Sequence, residues 1–353
     1  MAAKKRNYHD QIIVDNDIKL REMLLALPKF CMNYFRGIEH TTSSRTRIAY
    51  AYDLGVFFSF MKENNPAFRN TEIRDFKLGM LEEITIEDIE EYMEYLKYYS
   101  KDDSEHTNRE VGIKRKLSSL KSFYNYFFCN NLINENPPAK VRVPKLHEKE
   151  IVRLDVDEVA RLLDEAESGD NLTAGQKKYH KKTRLRDIAL LTLLLGTGIR
   201  VSECVGIDID DIDFKNTGIK IRRKGGYETI VYFGDEVEKA LKDYLAERIN
   251  IPAEPGSENA LFLSMQNKRL NVRSVENLVK KYASLVTSLK KITPHKLRST
   301  YGTNLYKETG DIYLVADVLG HKDVNTTRKH YAAIEDERRW KARNAVKLRE
   351  TGD

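Results

Sequence analysis

The sequence predicts a mainly α-helical protein with two domains and a small antiparallel β-sheet in the second domain. In several long segments apolar residues recur at three- or four-residue spacing, which is the period of a helix that buries one face. Residues 134–148 contain three prolines among mixed charges, a composition that favours an extended connection between domains. Short apolar stretches on either side of Gly225-Gly226 indicate a β-hairpin.

The N-terminal half is predicted to be a helical domain over residues 16–134, preceded by a flexible basic start at residues 1–15. Its helices are expected over four ranges: 17–36, 44–62, 86–98 and 107–129. Pro28 should kink or divide the first of these helices, and residues 100–104 should form a polar loop. Five residues of the second helix should face the core: Ile48, Tyr52, Phe57, Phe58 and Met61.

A linker at residues 135–148 is predicted to lead into a second domain at residues 149–353. Asp155 should cap the first helix there, and the strongly apolar residues 184–195 should form the central helix. Residues 168–182 are polar and basic, which favours a surface loop. Two or three short strands are expected within residues 208–233, and the C-terminal tail is predicted to be a charged helix at residues 334–349.

Composition restricts the class of protein. Of 353 residues, 41% are hydrophobic and 32% are charged, which is typical of a folded, soluble chain rather than a disordered one. The net charge of +6 is a mild basic excess that suits a polyanionic partner, although many soluble proteins are as basic. The three cysteines fit no metal-binding spacing and are expected to be buried thiols in a reducing compartment. No membrane-spanning run or signal peptide is evident.

The most informative stretch is VLGHKDVNTTRKHY, residues 318–331. Gly320 is placed to end one helix, Asn325 and Thr326 could cap the next, and the segment contains both His321 and Tyr331. A tyrosine hydroxyl, with a free pKa of about 10, is a poor nucleophile at neutral pH. Tyr331 could therefore act only where cationic neighbours stabilise the charge on the atom that it attacks.

Three other motifs supply such cations. Arg200 follows a Gly-x-Gly turn, Lys224 precedes the Gly-Gly hairpin turn, and His295 and Arg298 lie three residues apart, on one face of a helix. Each motif alone is more often a plain turn, an exposed basic hairpin or a solvated helix face. Together with Tyr331 they supply planar guanidinium groups, proton donors and one nucleophile, a set that suits a phosphodiester. The set includes no carboxylate cluster that could bind a metal. Glu203 is expected to orient Arg200 or His295.

These pieces, in this order, resemble the catalytic domain of the tyrosine recombinase family, which includes phage integrases and Xer-like enzymes. The resemblance assigns catalytic roles to Arg200, Lys224, His295 with Arg298, His321 and Tyr331. Tyr331 is the tenth residue after His321; some family members have the tyrosine at the ninth position, which is His330 here.

The resemblance extends into the N-terminal half. Residues 46–54 and 115–127 are similar to the helices with which members of the family bind DNA. The implied fold is an N-terminal helical core-binding (SAM-like) bundle followed by an α-rich catalytic domain with a small antiparallel sheet. The candidate DNA contacts are Ser44, Arg45, Arg47, Thr107, Lys114, Arg115 and Lys121.

The implied activity is site-specific DNA recombination through a covalent 3′-phosphotyrosine, without a metal, ATP or another cofactor. The expected partner is double-stranded DNA with paired inverted-repeat sites, bound by a tetramer of a chain that is monomeric in solution. An accessory directionality factor is compatible with this function, and the expected location is the cytoplasm, with the nucleoid. Alternatives are a type IB topoisomerase, a DNA-binding regulator that has lost cleavage, and a metal-dependent nuclease. Plasmid relaxation would identify the first, and sensitivity to EDTA the last.

Overall fold

The computed structural model describes residues 7–101, 104–143, 152–223, 225–321, 323 and 324. The chain divides into two compact units, Met1–Lys149 and Glu150–Asp353. Within the part of the chain that is described, none of the helices has both the length and the apolar character needed to cross a membrane.

The first unit is mainly helical and contains one short β-hairpin. Its elements are α1 (Tyr8–Leu24), α2 (Cys31–Gly37), α3 (Ser44–Asn64), α4 (Ile86–Tyr95), β1 (Tyr98–Lys101), β2 (Ser104–Thr107), α5 (Glu110–Cys129) and α6 (Pro137–Lys140). Side-chain caps fix the helix starts: Ser43 accepts from the backbone of Thr46 at 3.1 Å, and Thr85 and Asp88 form a reciprocal capping box.

An aromatic core holds the first unit together. Phe58 on α3 and Phe123 on α5 have ring centroids 5.9 Å apart, and Tyr34 on α2 packs edge-on against Phe123 at 5.2 Å. These edge-to-face contacts are the geometry that aromatic quadrupoles favour. A buried carboxylate also joins the two long helices, because Asp53 on α3 accepts from Arg115 and Lys116 on α5.

The second unit is built around a long central helix. Its elements are α7 (Val156–Ser168), α8 (Ala174–Thr197), α9 (Val201–Cys204), β3 (Ile212–Asp213), β4 (Gly218–Arg222), β5 (Glu228–Tyr232), α10 (Asp235–Arg248), α11 (Val272–Val286), α12 (Pro294–Thr309) and α13 (Ile312–Leu319). Helix α8 packs against α7, α10 and α12, and its apolar second half is buried. The antiparallel sheet has the order β3-β4-β5, with Arg222 opposite Glu228 next to the hairpin turn.

Several helix predictions are confirmed. Helix α1 ends before Pro28 and α2 begins after it, α3 starts at Ser44, and Asp155 lies at the N-cap of α7. The apolar segment 184–195 lies within α8, and the predicted strands are present.

Other predictions for the first unit are wrong. Residues 8–15 are helical rather than a loose start, and residues 100–104 take part in a β-hairpin in which Ser100 pairs with Glu105. Thr107 lies in β2 opposite Tyr98, so the long basic helix begins at Glu110. The sequence pattern misleads in this segment because polar residues can form a two-stranded ladder without the alternation that a buried face produces.

Two predictions of burial and one of an extended linker are also wrong. Tyr52 is exposed, because it lies on the opposite face of α3 from the buried Phe57 and Phe58. Cys129 is exposed at the end of α5, whereas the other two cysteines are buried. The start of the predicted linker is not extended: Pro137 begins the short helix α6, where its missing N–H costs nothing. Residues 144–148 of that linker lie outside the described residues.

In the second unit the predicted loop 168–182 is partly helical, since α8 begins at Ala174. Thr173 and Gln176 form a capping box at its start. The polar first turns of α8 have no apolar stripe, so hydrophobic periodicity could not reveal them.

Candidate active site

Arg200 is held at the junction between the central helix and α9. Helix α8 ends at Gly198, whose φ of +63° is left-handed, and a Cβ there would collide with the Tyr301 ring. Two residues later, the Arg200 guanidinium donates to the buried Glu203 carboxylate at 2.8 Å, and the Arg200 backbone N–H donates to its other oxygen at 2.8 Å. Glu203 therefore fixes both the main chain and the side chain of Arg200.

Arg298 lies inside helix α12 and is almost fully buried, with 5% of its surface exposed. Its Nη1 donates to the carbonyl of Gly198 at 2.6 Å, and its Nη2 donates to the carbonyl of Leu319. The side chain thus joins the C-terminal ends of α8 and α13. His295, one turn earlier on the same helix, is exposed.

Helix α13 ends in a Schellman motif. Gly320 has a φ of +63°, its N–H donates to the carbonyl of Asp317 at 2.8 Å, and the N–H of His321 donates to the carbonyl of Ala316 at 2.9 Å. This turn directs the chain out of the helix at His321, which is half-buried.

Three arginines donate to the last carbonyls of this helix end, including that of Asp317, which also accepts from Gly320. Arg298 donates to Leu319, and Arg200 donates to Gly320 at 3.3 Å. Arg223, from the hairpin between β4 and β5, donates to Val318 at 2.8 Å and to Asp317 at 3.3 Å. The last carbonyls of a helix lack intrahelical partners and carry partial negative charge, so cations are favoured there. The result is a cluster of positive charge immediately before His321.

Two other ionisable groups near this cluster have raised pKa values. Burial raises the pKa of the Tyr301 phenol, which packs against Gly198. Burial, and then the charge of the adjacent Glu203, raise the pKa of the Cys204 thiol. Burial therefore favours the protonated form of both groups.

The structure thus brings Arg200, Arg298 and the backbone of His321 together and places Glu203 on Arg200. Lys224, His330, Tyr331 and the predicted tail helix lie outside the described residues. Arg223 was missed by the sequence reasoning, which attended to the lysine that follows it. The sequence signal was the Arg-Arg pair before the turn, but nothing in the pattern showed that one side chain would reach α13.

The predicted DNA contacts of the first unit have different surroundings. Ser44 is half-buried at the start of α3, whereas Arg45 and Lys114 are exposed. The Arg115 side chain is about half exposed although it pairs with Asp53, and Thr107 is exposed in β2.

Arg47 and Lys121 have partners within the first unit. The Arg47 side chain is only 7% exposed and forms ion pairs with Asp17 at 3.0 Å and with Glu39 at 3.3 Å. Lys121 donates to the carbonyl of Val141 at 3.0 Å and is half-buried. Both cations bind groups within the unit, and their contacts with DNA stay predictions.

Comparison with known proteins identifies the family. The sequence profile of the phage integrase family matches residues 152–338. Tyrosine recombinase XerC of Caldanaerobacter subterraneus subsp. tengcongensis is 33% identical over 315 residues, which cover 86% of this chain and 82% of the relative. The chain belongs to the phage integrase family. Tyrosine recombinase XerC of Thermodesulfovibrio yellowstonii is 35% identical over 81% of this chain and 85% of its own length.

Solved structures of a site-specific recombinase and a transposon integrase share the fold. The Tn1549 transposon integrase in complex with circular intermediate DNA has a TM-score of 0.60 at 20% identity, covering 86% of this chain and 95% of that chain. The XerH site-specific recombinase in a post-cleavage complex with palindromic difH substrate has a TM-score of 0.60 at 19% identity, covering 84% and 80%. The predicted family, fold class and enzyme class, a tyrosine recombinase, are confirmed.

Proposed function

We propose that this chain recombines double-stranded DNA at specific sites, by cleaving and rejoining strands through a covalent 3′-phosphotyrosine at Tyr331. The observation that supports this most directly is the convergence of Arg200 and Arg298 on the helix end before His321. Planar guanidinium groups match the geometry of phosphate oxygens. Because an arginine has five N–H donors, a carbonyl contact can fix the orientation of a guanidinium that also binds an anion.

The proposed cleavage step is an in-line displacement at phosphorus. The Tyr331 oxygen forms a bond to phosphorus while the bond to the 5′ oxygen breaks, and His295 accepts the phenolic proton. Lys224 gives a proton to the leaving 5′ oxygen. Arg200 and Arg298 bind the non-bridging oxygens, and His321 donates a hydrogen bond to the phosphate. Preorganised donors of this kind typically contribute about 3–4 kcal/mol each to transition-state stabilisation. Attack by the 5′ hydroxyl of another strand reverses the step and completes the exchange.

Both units are proposed to contact the duplex. In the first unit, the exposed cations Arg45, Lys114 and Arg115 lie on α3 and α5, which the buried Asp53 joins. We propose that this surface contacts phosphates, with Ser44 and Thr107 at its margin, and that affinity falls steeply with salt because phosphate contacts release counterions.

The assembly and setting follow from the chemistry of exchange. Four strands are cut in a complete recombination, so we propose a homotetramer on paired inverted repeats, formed from monomers. An accessory directionality factor is compatible with this assembly. The protein is expected to act where its DNA lies, in the cytoplasm with the nucleoid.

The decisive experiment replaces Tyr331 with Phe, which removes one oxygen and keeps the ring. Bound duplexes are first selected from a random-sequence pool with the wild-type protein, and a nicked, labelled duplex carrying the selected site is then incubated with each protein. We expect a protein-linked DNA band on a denaturing gel for wild type and none for Tyr331→Phe, with similar DNA binding by both. A linked band that persists in Tyr331→Phe would assign the nucleophile to another residue.

Matched controls separate the alternatives. His330→Ala should cleave nearly as well as wild type, because the sequence predicts a helix there, and adjacent side chains on a helix point apart. EDTA should not abolish cleavage, and loss of cleavage in EDTA would favour a metal-dependent nuclease. Relaxation of supercoiled plasmid by single protomers, without exchange between sites, would favour a topoisomerase.

A further inference from the structure

The end of helix α13 is held by one more cation than the proposed phosphate-binding pair. Arg223 belongs to the hairpin between β4 and β5, and it reaches the carbonyls of Val318 and Asp317 at 2.8 and 3.3 Å. Arg200 and Arg298 contact the next two carbonyls, of Gly320 and Leu319. Four consecutive carbonyls thus receive arginines from three separate parts of the second unit.

The fit between Arg223 and the helix end is close. A Cβ on Gly320 would collide with the Arg223 guanidinium, so the glycine provides both the left-handed φ and the space that this side chain occupies. Arg223 is also anchored at its own backbone, where its N–H donates to the carbonyl of Tyr227 at 2.7 Å and its carbonyl accepts from Gly226 at 3.1 Å. The backbone of Arg223 therefore closes the hairpin turn, and its side chain donates hydrogen bonds to the end of α13.

We propose that Arg223 is a positioning residue for strand cleavage, which fixes the β4–β5 hairpin to the helix end where Arg200 and Arg298 converge. The inference rests on the proposed function, in which Lys224, the next residue in the chain, protonates the leaving oxygen. A lysine on a hairpin tip can deliver its proton only if the tip is held at the phosphate, and a misplacement of about 1 Å can cost roughly 100-fold in rate. Arg223 supplies that restraint through its contacts with α13.

The test asks whether the defect of an Arg223 variant lies in protonation of the leaving group. Two nicked duplexes carry the selected site, one with the normal 5′-bridging oxygen at the cleavage position and one with sulfur there. A thiol has an ordinary pKa of about 8.5, so a thiolate leaves without a proton, whereas an alkoxide does not. Single-turnover rates of covalent complex formation are measured at saturating protein, so that weakened binding does not enter.

We expect Arg223→Ala to cleave the oxygen duplex about 10- to 100-fold more slowly than wild type and the sulfur duplex at close to the wild-type rate. Lys224→Ala is the reference and should show the same pattern. Lys220→Ala is the matched control: it removes a cation from the same strand, β4, where the exposed lysine pairs with Asp211 at 3.4 Å, and should leave both rates unchanged. If Arg223→Ala does not fold, Arg223→Gln is compared on the same two duplexes.

The outcomes are distinct. Wild-type rates on the oxygen duplex, or an equal defect on both duplexes, would overturn the positioning role of Arg223 while leaving the proposed function intact. If the wild-type protein forms no covalent complex with either duplex, the proposed function fails, and this inference fails with it.

Discussion

Replacing Arg298 with Ala should damage both the stability of the second unit and its chemistry. The side chain is 5% exposed and donates to two buried carbonyls, those of Gly198 and Leu319. A buried acceptor that loses its donor costs about 1–3 kcal/mol, so the two together should cost about 2–6 kcal/mol. For a domain of this size each kcal/mol lowers Tm by about 2–4 °C, which gives a fall of at least about 4 °C. Loss of a transition-state donor should also slow cleavage by about 100- to 1,000-fold.

Thermal melting and single-turnover cleavage of the nicked duplex measure the two effects separately. Arg273→Ala is the matched control, since that side chain is 80% exposed and its ion pair with Glu276 lies on the surface. Arg298→Lys keeps the charge but lacks the planar fork, so it should recover only part of either loss. If Arg298→Ala melts together with Arg273→Ala, Arg298 does not join the ends of α8 and α13. If it cleaves at the wild-type rate, it does not stabilise the transition state.

Two further predictions concern the ends of the second unit. Asp155 lies at the N-cap position of α7 and accepts from Lys290 at 2.8 Å, and this bond lowers the pKa of Asp155. Because the Asp155 side chain is 63% exposed, solvent screens this ion pair, and Asp155→Ala should cost at most about 1 kcal/mol at about pH 7. The difference from wild type should begin to shrink as pH falls below the unfolded value of about 3.9 and should vanish below the lower pKa of the folded protein. Urea unfolding across this range measures it, and an undiminished difference in acid would contradict it. Truncation after Ala333 should retain single-site DNA binding in a gel-shift assay but abolish four-protomer complexes, which would persist if the tail packs only on its own domain.

Most of the helical framework could be predicted because its signals are local. The start of α3 at Ser44, the break at Pro28 and the cap at Asp155 depend on capping and proline chemistry that a few neighbouring residues contain. The hairpin formed by β1 and β2 and the polar start of α8 escaped prediction because neither has the apolar alternation or stripe on which such predictions rest.

The candidate site divides in the same way. Arg200 and Arg298 could be singled out because each lies in a motif of its own, and Glu203 because it follows Arg200 by three residues. Their partners could not be predicted. A guanidinium that binds main-chain carbonyls does not depend on the side chains of the residues it contacts, because every residue has such a carbonyl. Arg223 shows this most clearly: its acceptors, Asp317 and Val318, lie about ninety positions away and contribute only backbone atoms.

The packing of Arg223 on Gly320 can be tested without DNA, through a double-mutant cycle in thermal or urea unfolding. Gly320→Ala should cost about 1–2 kcal/mol for its left-handed backbone, and more because its methyl group displaces the Arg223 guanidinium. In the Arg223→Ala background the second cost is absent, so the two changes together should cost less than the sum of each alone, by about 0.5–3 kcal/mol. Gly256→Ala is the control, because Gly256 has a φ of +91° and a methyl group there would meet no other heavy atom within 4 Å; it should add to Arg223→Ala within about 0.5 kcal/mol. Additive costs at Gly320 as well would mean that the guanidinium does not rest on the helix end, and the restraint on the hairpin would then have no physical basis.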